Sequence, residues 1–155
     1  MTPDLNPDSD IDQFPGFLIR RVHQIAVARF SAQTEGHQIT PVQWAALRHV
    51  QAQPGIDQSA LARGIALDTS TIAGVVERLE LRGLLLRKPS PTDRRLRTLY
   101  LTPEGLALTA KVTDITIEVQ NWLLEPLSEL EQAQLKSCLR KVIDRHLEDP
   151  SASDA

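Results

Sequence analysis

Apolar residues recur at helical spacing over most of this chain of 155 residues. Phe17, Val22, Ile25 and Ala28 lie near one face of a helix, which is the period of an amphipathic α-helix. The whole pattern predicts six helices, at about 16–35, 41–53, 58–66, 69–82, 103–124 and 127–147. The segments 1–15 and 148–155 lack such a period, so we expect a flexible N-terminal arm and a flexible tail.

Capping residues predict where the helices begin and end. The stretch Thr40–Gln43 combines a threonine N-cap, a proline at the first helical position and a glutamine at the third, which together make a capping box. Asp57 and Asp68 are expected to cap the next two helices with their carboxylates. Gly36 and Gly83 are expected to end helices in the left-handed conformation that glycine adopts without steric cost.

The period changes from helical to alternating between the fourth and fifth predicted helices. Leu84–Lys88 and Leu96–Leu101 are typical of short strands, and the turn-forming residues between them predict a β-hairpin with a long loop. Thr102 then repeats the threonine–proline helix start seen at Thr40. The expected fold is mainly α with a small β-hairpin wing.

Composition excludes several classes of protein. A chain that is 41% hydrophobic with a net charge of −3 is too apolar to be disordered, and one cysteine cannot build a disulfide framework. No apolar run approaches a membrane span and the acidic N-terminus does not resemble a secretory signal, so we expect a cytoplasmic protein without membrane contact. Metal-ligand spacings, phosphate loops and nucleophile motifs are missing, so we expect no metal, no cofactor and no enzymatic activity.

Charge is distributed unevenly along the chain. Residues 63–97 contain eight arginines and lysines against four acids, whereas residues 98–155 contain five against ten. A basic segment inside an acidic protein favours a face that binds a polyanion. The alternative is a hairpin that its arginines merely keep soluble.

Two parts of the basic segment indicate duplex DNA as the polyanion. The short connection Leu67–Asp68 is typical of a helix-turn-helix, whose second helix enters the major groove and here begins with hydroxyl side chains. The hairpin loop carries arginines, whose flat and weakly hydrated guanidinium suits a narrow minor groove. The candidate DNA-contacting residues are Thr69, Ser70, Thr71, Arg78, Asp93, Arg94, Arg95 and Arg97.

A protein from another class would also fit the helical pattern. This alternative is a helical winged-helix module that binds a partner protein and no DNA. The arginine-dense loop beside hydroxyls at a helix start speaks against it. The salt dependence of binding distinguishes the DNA-binding hypothesis from this alternative, because DNA binding releases counterions and weakens steeply as the salt concentration rises.

The sequence 78–84, Arg-Leu-Glu-Leu-Arg-Gly-Leu, is followed by Asp93–Arg95 and by Leu-Thr-Pro-Glu-Gly at 101–105. Together with 58–62 and 67–72, this combination resembles the MarR family of bacterial transcription regulators over about 16–147. The resemblance implies a homodimer, usually a repressor that a small molecule releases from a palindromic DNA operator.

The resemblance also implies how the chain is organised. Residues 16–38 and 103–147 would form a helical dimerisation domain, and residues 39–102 a winged helix-turn-helix DNA-binding domain. The helix that begins near Thr69 would read the major groove, Arg95 would enter the minor groove, and Asp93 would orient the wing arginines. The last predicted helix independently favours a dimer, because one small lobe cannot cover its apolar residues Leu127, Leu130, Leu135, Leu139, Val142 and Ile143.

One position departs from the family pattern. Many members carry a basic residue in the middle of the recognition helix, where this chain has Ala73 and Gly74. Glycine at this place costs about 1 kcal/mol of helix propensity relative to alanine. It either permits a close approach of the backbone to DNA or relieves packing, and the sequence leaves both explanations open.

The first two predicted helices indicate an aromatic carboxylic acid as the small molecule. Arg20 and His23 share a helix face, and Trp44, Arg48 and His49 lie on the second helix. Arginine can bind a carboxylate through two hydrogen bonds, histidine can bond a ring hydroxyl, and tryptophan can supply an aromatic wall. These stretches are also similar to family branches that sense hydroxybenzoates. Alternatively, Trp44 is a core residue and Arg48 belongs to the surface or a dimer interface.

Overall fold

Six α-helices and three β-strands make up the part of the chain that the structure, a computed structural model, describes: residues 10–90 and 97–147. In chain order they are α1 (Pro15–Thr34), α2 (Pro41–Ala52), β1 (Ile56–Asp57), α3 (Gln58–Gly64), α4 (Thr69–Leu81), β2 (Leu85–Pro89), β3 (Arg97–Leu101), α5 (Pro103–Leu124) and α6 (Glu129–Leu147). Single-turn 3-10 helices, Ile11–Gln13 and Glu35–His37, flank α1. The mainly α fold with a small β wing is confirmed. Within these ranges no helix has the length and apolar character needed to cross a bilayer.

The chain divides into two compact units, residues 1–119 and residues 120–155. In the first unit, side chains from α1 to α5 and from strands β2 and β3 form one hydrophobic core. Its buried members are Phe30, Ile39, Ala46, Leu47, Val50, Leu61, Ala62, Ile72, Val75, Val76, Leu79, Leu84, Leu85, Leu99 and Val112. The helix-turn-helix therefore owes its stability to this shared core more than to the propensity of its short helices.

The capping residues are where the sequence predicts them. The Thr40 hydroxyl accepts the Gln43 N–H at 3.2 Å, and the Gln43 side chain accepts the Thr40 N–H at 3.1 Å, which completes the capping box. Asp57 accepts the Ala60 N–H at 2.8 Å and begins α3. Gly83 follows α4 with φ +70°, as expected for a glycine that ends a helix.

Gly36 does not end α1 in a left-handed conformation, so that expectation is wrong. Thr34 ends α1, Gly36 lies inside the 3-10 helix, and the left-handed residue is Gln38, with φ +51°. The N–H of Gln38 donates to the Glu35 carbonyl at 3.2 Å. The extra 3-10 turn moves the reversal two residues along the chain, because i to i+3 bonding satisfies carbonyls left open at the helix end.

The wing is a three-stranded sheet and not a simple hairpin. Its strand order is β1-β3-β2, with both pairs antiparallel and Ile56 opposite Leu99. β1 contains two residues, so it shows no alternation of its own and exists only because β3 supplies its hydrogen-bond partners.

The last helix begins at Glu129, two residues later than predicted. In the second unit the N–H and hydroxyl of Ser128 donate to the Glu131 carboxylate at 2.8 and 2.7 Å, which is the geometry of an N-terminal cap. The Gln132 amide donates to the carbonyls of Leu124 and Leu127 at 3.1 and 3.0 Å and so satisfies the end of α5.

The start of α5 packs directly on the chain that leaves α4. The buried Thr102 hydroxyl donates to the Gly83 carbonyl at 2.7 Å and accepts the Gly105 N–H at 2.9 Å. The Thr102 N–H donates to the Leu84 carbonyl at 3.2 Å. A Cβ on Gly105 would lie 2.0 Å from that same Leu84 oxygen, so only glycine fits here.

We therefore expect Gly105→Ala to lower the free energy of unfolding by about 3 kcal/mol, at the upper end of what overpacking costs, because backbone must move to admit the methyl group. Gly36→Ala is the matched control. An alanine Cβ at Gly36 meets nothing within 4 Å, so its effect should stay within about 0.5 kcal/mol. Urea denaturation of both variants measures this, and equal midpoints would contradict the close contact.

Candidate nucleic-acid interface

Helices α3 and α4 form a helix-turn-helix whose turn is longer than predicted. α3 ends at Gly64, so the connection runs over Ile65–Asp68 instead of the two residues expected from the sequence. Ala66 bends this turn with φ +54°, and the Leu67 N–H donates to the Ala62 carbonyl at 3.0 Å. The left-handed residue lets the short turn reverse the chain and sends α4 out at an angle to α3.

Asp68 holds the first turn of α4 with three hydrogen bonds. Its carboxylate accepts the N–H of Thr71 at 2.8 Å, the hydroxyl of Thr71 at 2.5 Å and the hydroxyl of Ser70. The hydroxyl of Ser70 first, then the hydroxyl and N–H of Thr71, hold the pKa of the Asp68 carboxyl well below its ordinary value. Asp68 is therefore ionised and only accepts, so both hydroxyls must donate to it.

Thr69, Ser70 and Thr71 are all exposed, as a DNA-contacting role requires. Because Ser70 and Thr71 direct their protons to Asp68, their hydroxyl oxygens present acceptor lone pairs outward. At these two side chains the first turn of α4 thus faces solvent with acceptors, which the sequence alone did not indicate.

The remainder of α4 has one buried and one exposed stripe. The buried stripe consists of Ile72, Val75, Val76 and Leu79. Opposite it, at spacings of four and seven, lie Ser70, Gly74, Glu77 and Leu81, and Leu81 is 82% exposed. Glu77 and Leu81 were not among the predicted site residues. The helical period that gives the buried stripe also places both of them on the outer face.

Gly74 has no packing partner from another element among its nearest neighbours. The three atoms nearest to a Cβ built on Gly74 all belong to the Arg78 guanidinium, the closest at 3.4 Å. Arg78 is exposed and folds back along its own helix over the glycine. Relief of packing against the core therefore does not explain Gly74, and the Arg78 side chain covers the outer face of α4 at this point.

Exposed cations lie at the C-terminal end of α4 and on the wing strands. The Arg82 guanidinium donates to the carbonyls of Gln38 and His37 at 2.6 and 3.1 Å, which ties the end of α4 to the connection after α1. On the wing, Lys88 lies 4.9 Å from the centre of the Tyr100 ring. Arg97, at the start of β3, is exposed as predicted. The predicted residues Asp93, Arg94 and Arg95 lie outside the described residues.

The predicted effector residues are in different surroundings. Arg20 and His23 are exposed on α1. Trp44 is half-buried against the core, its ring centroid lies 6.4 Å from that of Phe30, and its indole N–H donates to the Thr113 hydroxyl at 3.3 Å. These contacts make Trp44 part of the core packing, whatever else it contacts.

Arg48 and His49 line one cavity of about 310 Å³ together with Ala52 and Gln53. The Arg48 guanidinium donates to the Gln51 side chain at 2.6 Å. The His49 ring packs on Gly64, where a Cβ would lie 2.8 Å from the imidazole Cδ2. These two sequence neighbours thus share one cavity at the C-terminal end of α2, and among the described residues Arg20, His23 and Trp44 are not part of its lining.

Comparison with known proteins identifies the fold and its relatives. The model of the MarR family matches residues 39–96. The transcriptional repressor NicR of Pseudomonas putida is 31% identical over 139 residues, which cover 90% of this chain and 88% of NicR.

Two solved structures resemble most of this chain. BpsR of Bordetella bronchiseptica, whose DNA binding is regulated by 6-hydroxynicotinic acid, is 29% identical with a TM-score of 0.83 and covers 88% of this chain and 97% of its own. The repressor CouR, bound to a 23-mer DNA duplex, is 27% identical with a TM-score of 0.80 and covers 85% of this chain and 94% of its own. The proteins of this group are regulators of transcription and not enzymes. The resemblance in the sequence is therefore confirmed, and the chain belongs to the MarR family of transcription regulators.

Proposed function

We propose that the protein is a homodimeric repressor that binds a near-palindromic DNA operator and is released from it by a small aromatic carboxylic acid. The observation that carries the proposal is the exposed face of α4, which a turn and an aspartate cap project from the core and which a cationic wing accompanies. A helix so placed fits the major groove, and arginines beside it meet the phosphates or the minor groove. The DNA complex of CouR supports this reading of α4 and the wing.

The dimer follows from apolar surface that one chain leaves uncovered. On α6 the exposed apolar residues are Leu130, Leu135, Leu139, Val142 and Ile143, and on α1 they are Leu18, Ile19, Val22 and Ile25. Exposed apolar stripes of this length are typical of protein interfaces and are costly in water. A dimerisation domain from residues 16–38 and 103–147 would bury them against the partner chain, beside a DNA-binding domain at 39–102.

We expect the purified protein to sediment at twice the 17.2 kDa mass of one chain. Val142→Glu should shift it toward the monomer, because a buried unpaired carboxylate disfavours the interface. Leu81→Glu is the control, since Leu81 is 82% exposed on α4 and should leave the mass unchanged. A wild type that sediments as a single chain at micromolar concentration would refute the dimer.

Arg95→Ala should weaken operator binding by about 1–3 kcal/mol, the usual cost of a lost base-edge arginine, because Arg95 is proposed to enter the minor groove. Its effect on stability should stay within about 0.5 kcal/mol. The control is Lys111→Ala, which removes one exposed positive charge from α5. Mobility shifts use the DNA upstream of the protein's own gene, where half-sites about 10 bp apart are expected. Equal affinity of both variants would rule out the assignment of Arg95.

The aromatic acid is proposed to bind through Arg20 and His23, with Trp44, Arg48 and His49 as further contacts. A positive charge on α1 and the Arg48–His49 cavity both suit a carboxylate, and about 310 Å³ is the size of a small-ligand site. BpsR supports this ligand class, because 6-hydroxynicotinic acid is itself an aromatic hydroxy acid. To release DNA, the acid must bind the DNA-incompetent state more tightly, and a hundredfold preference corresponds to about 2.7 kcal/mol.

We expect Arg20→Ala to abolish release by hydroxybenzoates while leaving DNA affinity intact. Arg21→Ala is the matched control, because Arg21 neighbours Arg20 on α1 but pairs with Asp12 at 3.4 Å. DNA release is measured against a panel of hydroxybenzoates for each variant. If hydroxybenzoates still release Arg20→Ala from DNA but no longer release Arg48→Ala, the carboxylate binds in the α2 cavity and not at Arg20. If no aromatic acid releases the wild type from DNA, the proposed ligand class is wrong, whereas the proposed DNA binding is unaffected.

A further inference from the structure

The outer face of α4 contains an acid that no described cation neutralises. α4 carries two glutamates, Glu77 and Glu80. Glu80 pairs with Arg87 of β2 at 3.3 Å. Glu77 is exposed and makes no ion pair or hydrogen bond with any residue in the described ranges. Among the described residues, the two acids thus differ in whether a cation forms an ion pair with them.

Glu77 lies on the face of α4 that is proposed to meet DNA, so its charge acts on that face. Glu77 lies seven residues after Ser70 and four before Leu81, on the stripe directly opposite the buried one. Gly74, one turn before Glu77, is covered only by the Arg78 guanidinium, the far end of a flexible side chain, and its own lack of a side chain adds nothing that would hold the helix away from a groove floor. A carboxylate on this stripe therefore approaches base edges more closely than a carboxylate on the flank of the helix.

An uncompensated carboxylate is unfavourable near DNA unless it finds a donor. Phosphates repel it, and in the major groove guanine presents only acceptors, at N7 and O6. The donors there are the N4 amine of cytosine and the N6 amine of adenine. Adenine places its N7 acceptor beside N6, where it repels the second carboxylate oxygen, whereas cytosine has no acceptor of its own beside N4.

We infer that Glu77 determines base specificity, with its carboxylate accepting a hydrogen bond from the N4 amine of a cytosine in each half-site. The inference rests on the proposed entry of α4 into the major groove. Ser70 extends the same preference, because its proton is directed to Asp68 and only its acceptor lone pairs face outward. The centre of this reading face selects donors, while the surrounding arginines supply attraction to the backbone.

The test is a selection of bound sequences from a library of random 24-bp duplexes, made with the full-length wild type, Glu77→Gln and Glu80→Gln. The wild type should prefer cytosine about tenfold over the other bases at one position of each half-site. Glutamine offers a donor and an acceptor side by side, which match N7 and N6 of adenine, so Glu77→Gln should move that preference from cytosine to adenine. The preference at every other position should stay as in the wild type.

Glu80→Gln is the matched control, because it removes the same charge from the same helix at a residue already paired with Arg87. Both variants lose one negative charge, so both should bind duplexes that lack the selected sequence more tightly at low salt, and only Glu77→Gln should change the selected base. Identical selected sequences for all three proteins overturn the role of Glu77 and leave the proposed function intact. A wild type that enriches no sequence overturns the proposed function as well.

Discussion

The contact between the start of α5 and the chain that leaves α4 fixes the geometry on which the rest of the molecule depends. Gly105 lies so near the Leu84 carbonyl that a Cβ would be 2.0 Å from its oxygen. Thr102 bonds both to Gly83 and to Gly105, so one hydroxyl joins the chain that leaves α4 to the start of α5. The wing strands begin and end at this junction, and their position relative to α4 is set by it.

A second constraint acts at the other end of α4. The Asp68 carboxylate accepts three donors, and its ionised state decides that Ser70 and Thr71 act as acceptors toward the outside. A cap that stabilises the helix therefore also sets the hydrogen-bonding polarity of the surface that we propose to read DNA. Arg82 holds the opposite end against two carbonyls of the α1–α2 connection. Both ends of the helix are thus positioned by charge-assisted hydrogen bonds, which are stronger than neutral ones.

The charged residues of α4 and the wing have two proposed roles, which are attraction of the DNA backbone and selection of bases. Exposed cations such as Arg78 and Arg97 attract a polyanion whatever its sequence, because phosphate contacts carry no base information. Glu77 reduces that attraction, and in the role proposed for it the carboxylate distinguishes bases. The net charge of −3 fits the same division, since attraction confined to one face keeps the remainder of an acidic protein from binding DNA indiscriminately.

The sequence by itself determined the order of the helices and most of their caps, because these features depend on neighbours within about four residues along the chain. Thr40, Asp57, Asp68 and Gly83 act where the pattern placed them. The helical period also predicts the outer stripe that includes Glu77, since the residues opposite the buried stripe of a helix follow from the same period.

Only the tertiary structure decided features that depend on partners distant in the chain. β1 needs β3 for its hydrogen bonds, the pairing of Glu80 needs Arg87, and Arg82 finds its carbonyl partners 44 and 45 residues away. No local pattern encodes these partners, because they meet only after the core has brought their elements together. The lack of an ion pair at Glu77 within the described ranges is of the same kind, since it depends on where the fold places the cations of those ranges.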